Sequence, residues 1–143
     1  MRSGSGLRGA VAGAIAAAAW QGCDPVLERV FGTPYADAKL LGPFVTRGRH
    51  EWLANLVTHC AGGATFGYLF ERLGGHGVRR GVTAALVENT VLWPGMLVVD
   101  RIHPRRRDGS WPRLATSPRA FGSAAAGHAL FGALLGAAVR DRR

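Results

Sequence analysis

Four apolar blocks, separated by arginine-rich connections, dominate the pattern of the chain. Apart from Glu88 and two histidines, no charged or titratable side chain other than Cys or Tyr interrupts them. The blocks cover residues 9–23, 52–70, 81–99 and 120–139. The last three are each about long enough to cross the roughly 30 Å hydrocarbon layer of a membrane as a helix. The first reaches further if it extends over Leu7 and lets Arg8 snorkel. The pattern therefore predicts an all-α fold, a four-helix transmembrane bundle.

Small residues support a membrane rather than a soluble bundle. Pairs with G-x-x-x-G spacing inside the apolar blocks are Gly9/Gly13, Gly63/Gly67 and Gly132/Gly136. In lipid such pairs let helices approach closely. In water each helix-interior Gly costs about 1 kcal/mol relative to Ala. A soluble Ala-rich bundle would also need polar helix faces, which these blocks lack.

The two halves of the chain resemble each other. "RGAVAGAIAAAAW" with the later "ERVFGTP" aligns with "RGVTAALVENTVLW" and the later "DRIHP", and "HCAGGATFG" aligns with "HALFGALLG". These matches predict a single membrane domain over residues 1–143, built from a two-helix unit repeated once. The first copy covers about 1–72 and the second about 73–143. Such a repeat predicts a pseudo-twofold axis along the membrane normal.

The formal net charge of +9 comes from arginine, since Lys39 is the only lysine among 18 basic residues. Basic flanks around apolar blocks suit anionic lipid headgroups. No basic helix face with interleaved aromatics and no zinc spacing occurs, so no nucleic-acid partner is expected. Arginine is densest in the short segments at both termini and in the 71–80 turn, which favours cytoplasmic termini. The N-terminal segment also has the basic start and apolar stretch of a signal peptide, and we interpret it as the first membrane helix.

Three ionisable residues are predicted to form a cluster at the membrane midplane. His59, Glu88 and His128 each lie within about 5 Å of the centre of their blocks, at 1.5 Å per residue. Ionisable groups inside a membrane bundle normally face its interior and pair with one another. We therefore expect these three side chains to meet, and they are the candidate catalytic or proton-carrying residues.

The residues after Glu88 are candidates for binding. Asn89 follows about 100° round the helix, so it can face a different neighbour. Pro94 cannot donate a hydrogen bond to the Thr90 carbonyl and is expected to kink the helix. Asn89, Thr90 and Trp93 are the predicted binding residues.

The pattern leaves several functions open. The polar cluster can be structural, with hydrogen bonds between helices that fix their packing, or it can form a proton or ion path. It can also supply the axial ligands of haem b (His59 and His128), or be an enzyme site with Glu88 as general acid or base. The leading prediction is a non-enzymatic partner subunit or a small proton-linked permeation unit. A membrane enzyme acting on an apolar or lipid-like substrate is the main alternative, and a bis-histidine haem protein is the third. No other metal or cofactor is predicted.

Membrane lipids are the expected partners. An apolar small molecule, a membrane protein or a second copy of the chain are further candidates. None of these is distinguished by the residue pattern, because no nucleophile elbow, metal-ligand cluster or phosphate loop is present in the sequence.

The second half resembles the YagU-like family of small bacterial inner-membrane proteins. The matching positions are Thr58-His59, Pro94-Gly95, Gly127-His128 and Arg140-Asp141-Arg142, within roughly residues 51–143. The resemblance implies a location in the bacterial cytoplasmic membrane. It does not include the Glu88-Asn89 pair, and the family has no settled biochemical activity, so no residue role follows from it.

Overall fold

The structure is a computed structural model that describes residues 6–140, and every regular element in that range is helical. The all-α prediction is therefore confirmed for these residues. Asp141 and Arg142 of the predicted Arg140-Asp141-Arg142 ending lie outside them. Two 3-10 turns, Asp37–Lys39 and Trp93–Gly95, accompany the α-helices. The α-helices are α1 (Leu7–Phe31), α2 (Gly42–Val45), α3 (Glu51–Arg72), α4 (Val78–Leu92), α5 (Met96–Ile102), α6 (Pro104–Arg107) and α7 (Pro118–Ala138).

The long helices are arranged with α1 and α7 in the centre and α3 and α4 on the flanks. Helix α1 packs against both α3 and α7, and α4 packs against α7. Glycine makes the flanking contacts close. A Cβ added to Gly13 would lie 2.0 Å from the Gly63 carbonyl oxygen, and one added to Gly81 would lie 2.1 Å from that of Gly132. Backbone therefore touches backbone in both the α1/α3 and the α4/α7 pairs.

The first helix is longer than predicted. The apolar block 9–23 predicts a helix that ends near Cys23, but α1 continues through Pro25 to Phe31. Pro25 removes only one backbone hydrogen bond, the one to the Gln21 carbonyl, while Leu27 packs against the main core. The helix ends at Gly32, which adopts the left-handed conformation that glycine tolerates best (φ 59°).

Pro94 interrupts the third apolar block, as the sequence predicts. A 3-10 turn at Trp93–Gly95 separates α4 from α5. Together these elements form the segment Val78–Ile102, which with Pro118–Ala138 makes two helical segments long and apolar enough to cross a membrane. Helices α1 and α3 are 25 and 22 residues long, but polar residues such as Asp24 and Asn55 lower their apolar character.

A small second core closes the end of the bundle opposite the α3–α4 turn. Tyr35 and Leu114 are fully buried there. The His103 imidazole stacks on the Trp111 ring with centroids 4.4 Å apart. The Asp100 carboxylate accepts hydrogen bonds from the backbone N–H groups of Leu114 and Ala115, at 2.8 and 3.0 Å. We call residues 33–50 and 103–117 the cap.

Candidate functional site

A cavity of about 220 Å³ lies between α3 and α4, over a floor made by α1 and α7, with the cap at one side. Each long helix contributes at least one large polar or aromatic side chain to its lining. Trp20 comes from α1, His59 from α3, Glu88 from α4 and His128 from α7. The structure thus brings the three predicted midplane residues to one cavity.

Glu88 and His128 face each other across this cavity. Glu88 Oε2 lies 3.6 Å from His128 Nε2. The other ring nitrogen, Nδ1, is 2.9 Å from the Ala124 carbonyl oxygen. Because a carbonyl can only accept a hydrogen bond, Nδ1 must carry a proton. His128 Nε2 is therefore the nitrogen that faces the Glu88 carboxylate.

Trp20 positions both imidazoles. Its ring centroid lies 4.7 Å from that of His59 and 4.6 Å from that of His128, edge-on in each case. Gly127 makes this possible, since a Cβ there would lie 2.0 Å from Trp20 Nε1. The indole N–H and ring thus fill the space beside α7 that any other residue at 127 would occupy.

His59 has a nitrogen positioned for binding. Its Nε2 is buried and has no hydrogen-bond partner within residues 6–140. A buried polar atom left unpaired costs about 1–3 kcal/mol. A polar group that enters the cavity and bonds to His59 Nε2 would recover that free energy.

Asp37 is a fourth titratable lining residue, and the sequence did not reveal it. It belongs to the 3-10 turn Asp37–Lys39 of the cap and accepts a hydrogen bond from the Tyr35 hydroxyl. Burial first, and the neighbouring Asp37 carboxylate second, raise the pKa of Tyr35, so its hydroxyl stays protonated and donates. No spacing in the connection indicates that this turn folds back over the cavity. The only indication in the sequence is the apolar Tyr35-Ala36 pair, which is buried in the structure.

The predicted binding residues lie outside the lining of this cavity. Asn89 is buried elsewhere on α4, and its Nδ2 has no partner in the described part of the chain. The Thr90 hydroxyl donates to the Leu86 carbonyl at 2.8 Å, within its own helix. Trp93 packs edge-on against Tyr35 and Phe121, with centroids 6.1 and 5.1 Å away.

A haem held by His59 and His128 stays a prediction, and the described positions of their side chains would have to change to accommodate it. The Trp20 ring contacts both imidazoles, and His128 directs its free nitrogen at Glu88 rather than at open space. The cavity is also smaller than the roughly 300–1,000 Å³ typical of drug-sized ligand sites. Among residues 6–140 there is no group of three or more His, Cys, Asp or Glu side chains placed to hold a metal ion.

A second cavity, of about 860 Å³, continues along α3 and α4 towards the turn between them. We call it the turn groove. Phe66 lines both cavities, so the turn groove adjoins the Glu88 site. Its walls are mostly apolar, with Leu69, Phe70 and Val87 among them. Arg79 and Arg80 are the charged residues in its lining.

Comparison with family models, with curated proteins and with solved structures finds no match to this chain. The resemblance to the YagU-like family therefore stays a prediction.

Proposed function

We propose that the protein is a four-helix integral protein of the bacterial cytoplasmic membrane that binds a lipid-like molecule at an acid–base site. In this proposal both termini are cytoplasmic, as the arginine distribution predicts. The molecule enters between α3 and α4, and its polar group meets Glu88, His128 and His59.

The exposed surface supports membrane insertion. Only 17% of the most apolar window of Val78–Ile102 is buried within the protein. Helices α1 and α3, which are less apolar overall, also expose large aliphatic side chains. Val11, Ile15, Val57, Val91 and Val98 are all more than half exposed. Exposed apolar surface on several helices of a bundle is costly in water and favourable in lipid.

The single observation that carries the functional proposal is the Glu88–His128 pair, facing a cavity that adjoins an apolar groove. At 3.6 Å a small movement lets the two groups share one proton. Such a pair can give a proton to a bound polar group or take one from it. His59 Nε2, buried and unpaired in the described chain, adds a hydrogen-bonding position beside it.

A permeation unit has less support. Towards the turn, the cavities continue between apolar side chains such as Phe66, Leu69 and Val87 as far as the two arginines. A proton path normally uses a chain of polar groups, whereas an apolar wall suits the tail of a lipid-like molecule.

Extraction of bound lipid tests the proposal. The protein is purified in mild detergent, and bound small molecules are measured by mass spectrometry for wild type, Glu88→Gln and His128→Gln. Glu51→Gln and His50→Gln are the matched controls, since both residues lie at the cap end of α3, outside the cavity lining. We expect both site variants to lose most of a molecule that wild type and controls retain.

Two outcomes would overturn the proposal. If the site variants keep the wild-type lipid content but unfold at lower temperature, the pair is structural. If they change proton flux into liposomes while wild type holds no bound molecule, the protein is a permeation unit.

A further inference from the structure

The turn groove has the shape of a binding site for an extended apolar chain. It lies between α3 and α4, beside the turn that joins them, and measures about 860 Å³, within the range typical of small-molecule sites. Its floor is formed by packed side chains. Phe70 belongs to the main core and is 8% exposed, and its ring stacks on Phe66 with centroids 6.5 Å apart. Leu69 and Val87 on the rims are at least half exposed.

The charge at its turn end is positive, and within residues 6–140 no carboxylate compensates it. Of the lining residues, only Arg79 and Arg80 are charged. Arg80 Nη1 lies 3.4 Å from the Gly74 carbonyl oxygen, and no described carboxylate forms a salt bridge with either arginine. The nearby carboxylate, Glu71, is used elsewhere: it accepts from the Gly9 N–H at 2.7 Å and lies 3.5 Å from Arg8 Nε.

The turn groove has positive charge at one end and apolar side chains along the rest of its length, which matches the two parts of an amphiphile. The arginines lie at the end of α4 beside the turn, and Val87 lies about two helical turns further along the same helix. At 1.5 Å per residue, Arg80 and Glu88 are about 12 Å apart along the helix axis. The lining between them is apolar apart from Thr83.

We propose that the turn groove binds one anionic phospholipid, with its phosphate between Arg79 and Arg80 and an acyl chain along Phe66, Leu69 and Val87. The proposal rests on the membrane location proposed above and not on the acid–base role of Glu88. The turn is expected on the cytoplasmic side, where basic residues near the surface attract anionic lipids.

Native mass spectrometry with added phosphatidylglycerol or phosphatidylcholine tests this site. Wild type is expected to bind one phosphatidylglycerol more tightly than phosphatidylcholine. The double variant R79Q/R80Q should bind phosphatidylglycerol about 25-fold more weakly, at about fivefold per arginine. The control R101Q/R107Q removes two exposed arginines near the cap and should bind as wild type does.

A second variant tests the chain-binding part. Thr83→Trp places an indole in the groove from an exposed position and should weaken phosphatidylglycerol binding although both arginines remain. If Thr83→Trp has no effect and glycerol phosphate competes, the site binds a free anion and the lipid proposal is wrong. Equal losses in R79Q/R80Q and R101Q/R107Q would also overturn it, since binding would then follow net charge alone.

Glu88→Gln separates this inference from the proposed function. It should retain phosphatidylglycerol binding at the turn groove even where the molecule at the acid–base site is lost. Loss of phosphatidylglycerol in Glu88→Gln would mean that the two cavities hold a single ligand and that the separate site does not exist.

Discussion

Glu88 on α4 and His128 on α7 approach each other to 3.6 Å, and the Ala124 carbonyl fixes which nitrogen of the imidazole is available. Within residues 6–140, His128 is the partner that this carboxylate faces. Trp20 holds the imidazole edge-on from the other side. This relationship links two helices that the chain separates by a long connection, and it defines the site.

The tautomer of His128 is a direct prediction. Because Nδ1 donates to the Ala124 carbonyl, it should carry a proton in every protonation state of the ring. Solid-state nitrogen NMR of histidine-labelled protein in lipid measures this, and His128→Gln assigns the signal. A neutral His128 with its proton on Nε2 would contradict the geometry.

Adjacent glycines on α3 should respond in opposite ways to alanine. In Gly63→Ala the new Cβ would lie 2.5 Å from the Gly13 carbonyl oxygen and 2.6 Å from Ala17 Cβ. We expect a loss of about 1–3 kcal/mol in the free energy of unfolding. Gly62→Ala meets nothing within 4 Å and should gain up to about 1 kcal/mol from helix propensity. Thermal unfolding in detergent measures both, and equal effects would refute the close α1/α3 contact.

Acidification should weaken the cap through His103. Burial penalises the imidazolium more than the hydrogen bond to the Leu40 carbonyl favours it, so the pKa of His103 lies below its usual value. Its Nε2–H donates to Leu40, and Nδ1 accepts from the Arg105 N–H, so the neutral ring is the bonded form. A lowered folded pKa means that the unfolded chain binds the proton first. The contribution is therefore complete above about pH 6.5 and is lost as the pH falls towards the folded value.

Unfolding temperatures measured between pH 7.5 and 5 test whether stability falls on acidification. His103→Phe keeps a ring against Trp111 and should show a shallower loss of stability on acidification than wild type. His50→Gln changes an exposed histidine and should keep the wild-type slope. If His103→Phe also keeps it, another group controls the pH response.

Asp100 should hold the cap loop in place. Its carboxylate accepts from Leu114 N–H and Ala115 N–H and lies 3.0 Å from Arg106 Nε. Asp100→Asn is expected to cost about 1.5–3 kcal/mol, as for hydrogen bonds to a charged group, and to speed hydrogen exchange at those two amides. Asp108→Asn removes an exposed carboxylate that accepts hydrogen bonds within its own turn, from Ser110, and should leave exchange at the Leu114 and Ala115 amides unchanged. Unchanged exchange in Asp100→Asn would contradict this role.

The sequence predicts the long helices well because long uncharged blocks have few alternatives to a helix. It fails at the end of α1, where Asp24, Pro25 and Glu28 are typical of a connection although the helix continues to Phe31. It also misses the cap, whose contacts join residues far apart in sequence, such as His103 Nε2 and the Leu40 carbonyl.

The residues of the candidate site also divide into those that the sequence predicts and those that it does not. His59, Glu88 and His128 could be grouped from depth alone, since equal depth on packed helices brings side chains together. Depth does not give the direction of a side chain round its helix, and the predicted binding residues Asn89 and Thr90 lie outside the lining of the Glu88 cavity. Asp37 reaches the cavity through a turn whose path no periodic pattern encodes.

Carbodiimide labelling of Glu88 tests the central claim most directly. The Glu88 side chain is 36% exposed, beside the cavity and between helices that we place in lipid. In native membranes, membrane-soluble dicyclohexylcarbodiimide should modify Glu88, while a water-soluble carbodiimide should modify the exposed Asp108 and leave Glu88 intact. Peptide mass spectrometry reads both sites in one sample. Modification of Glu88 by the water-soluble reagent as readily as of Asp108 would place the site in water and contradict an acid–base site that opens to lipid.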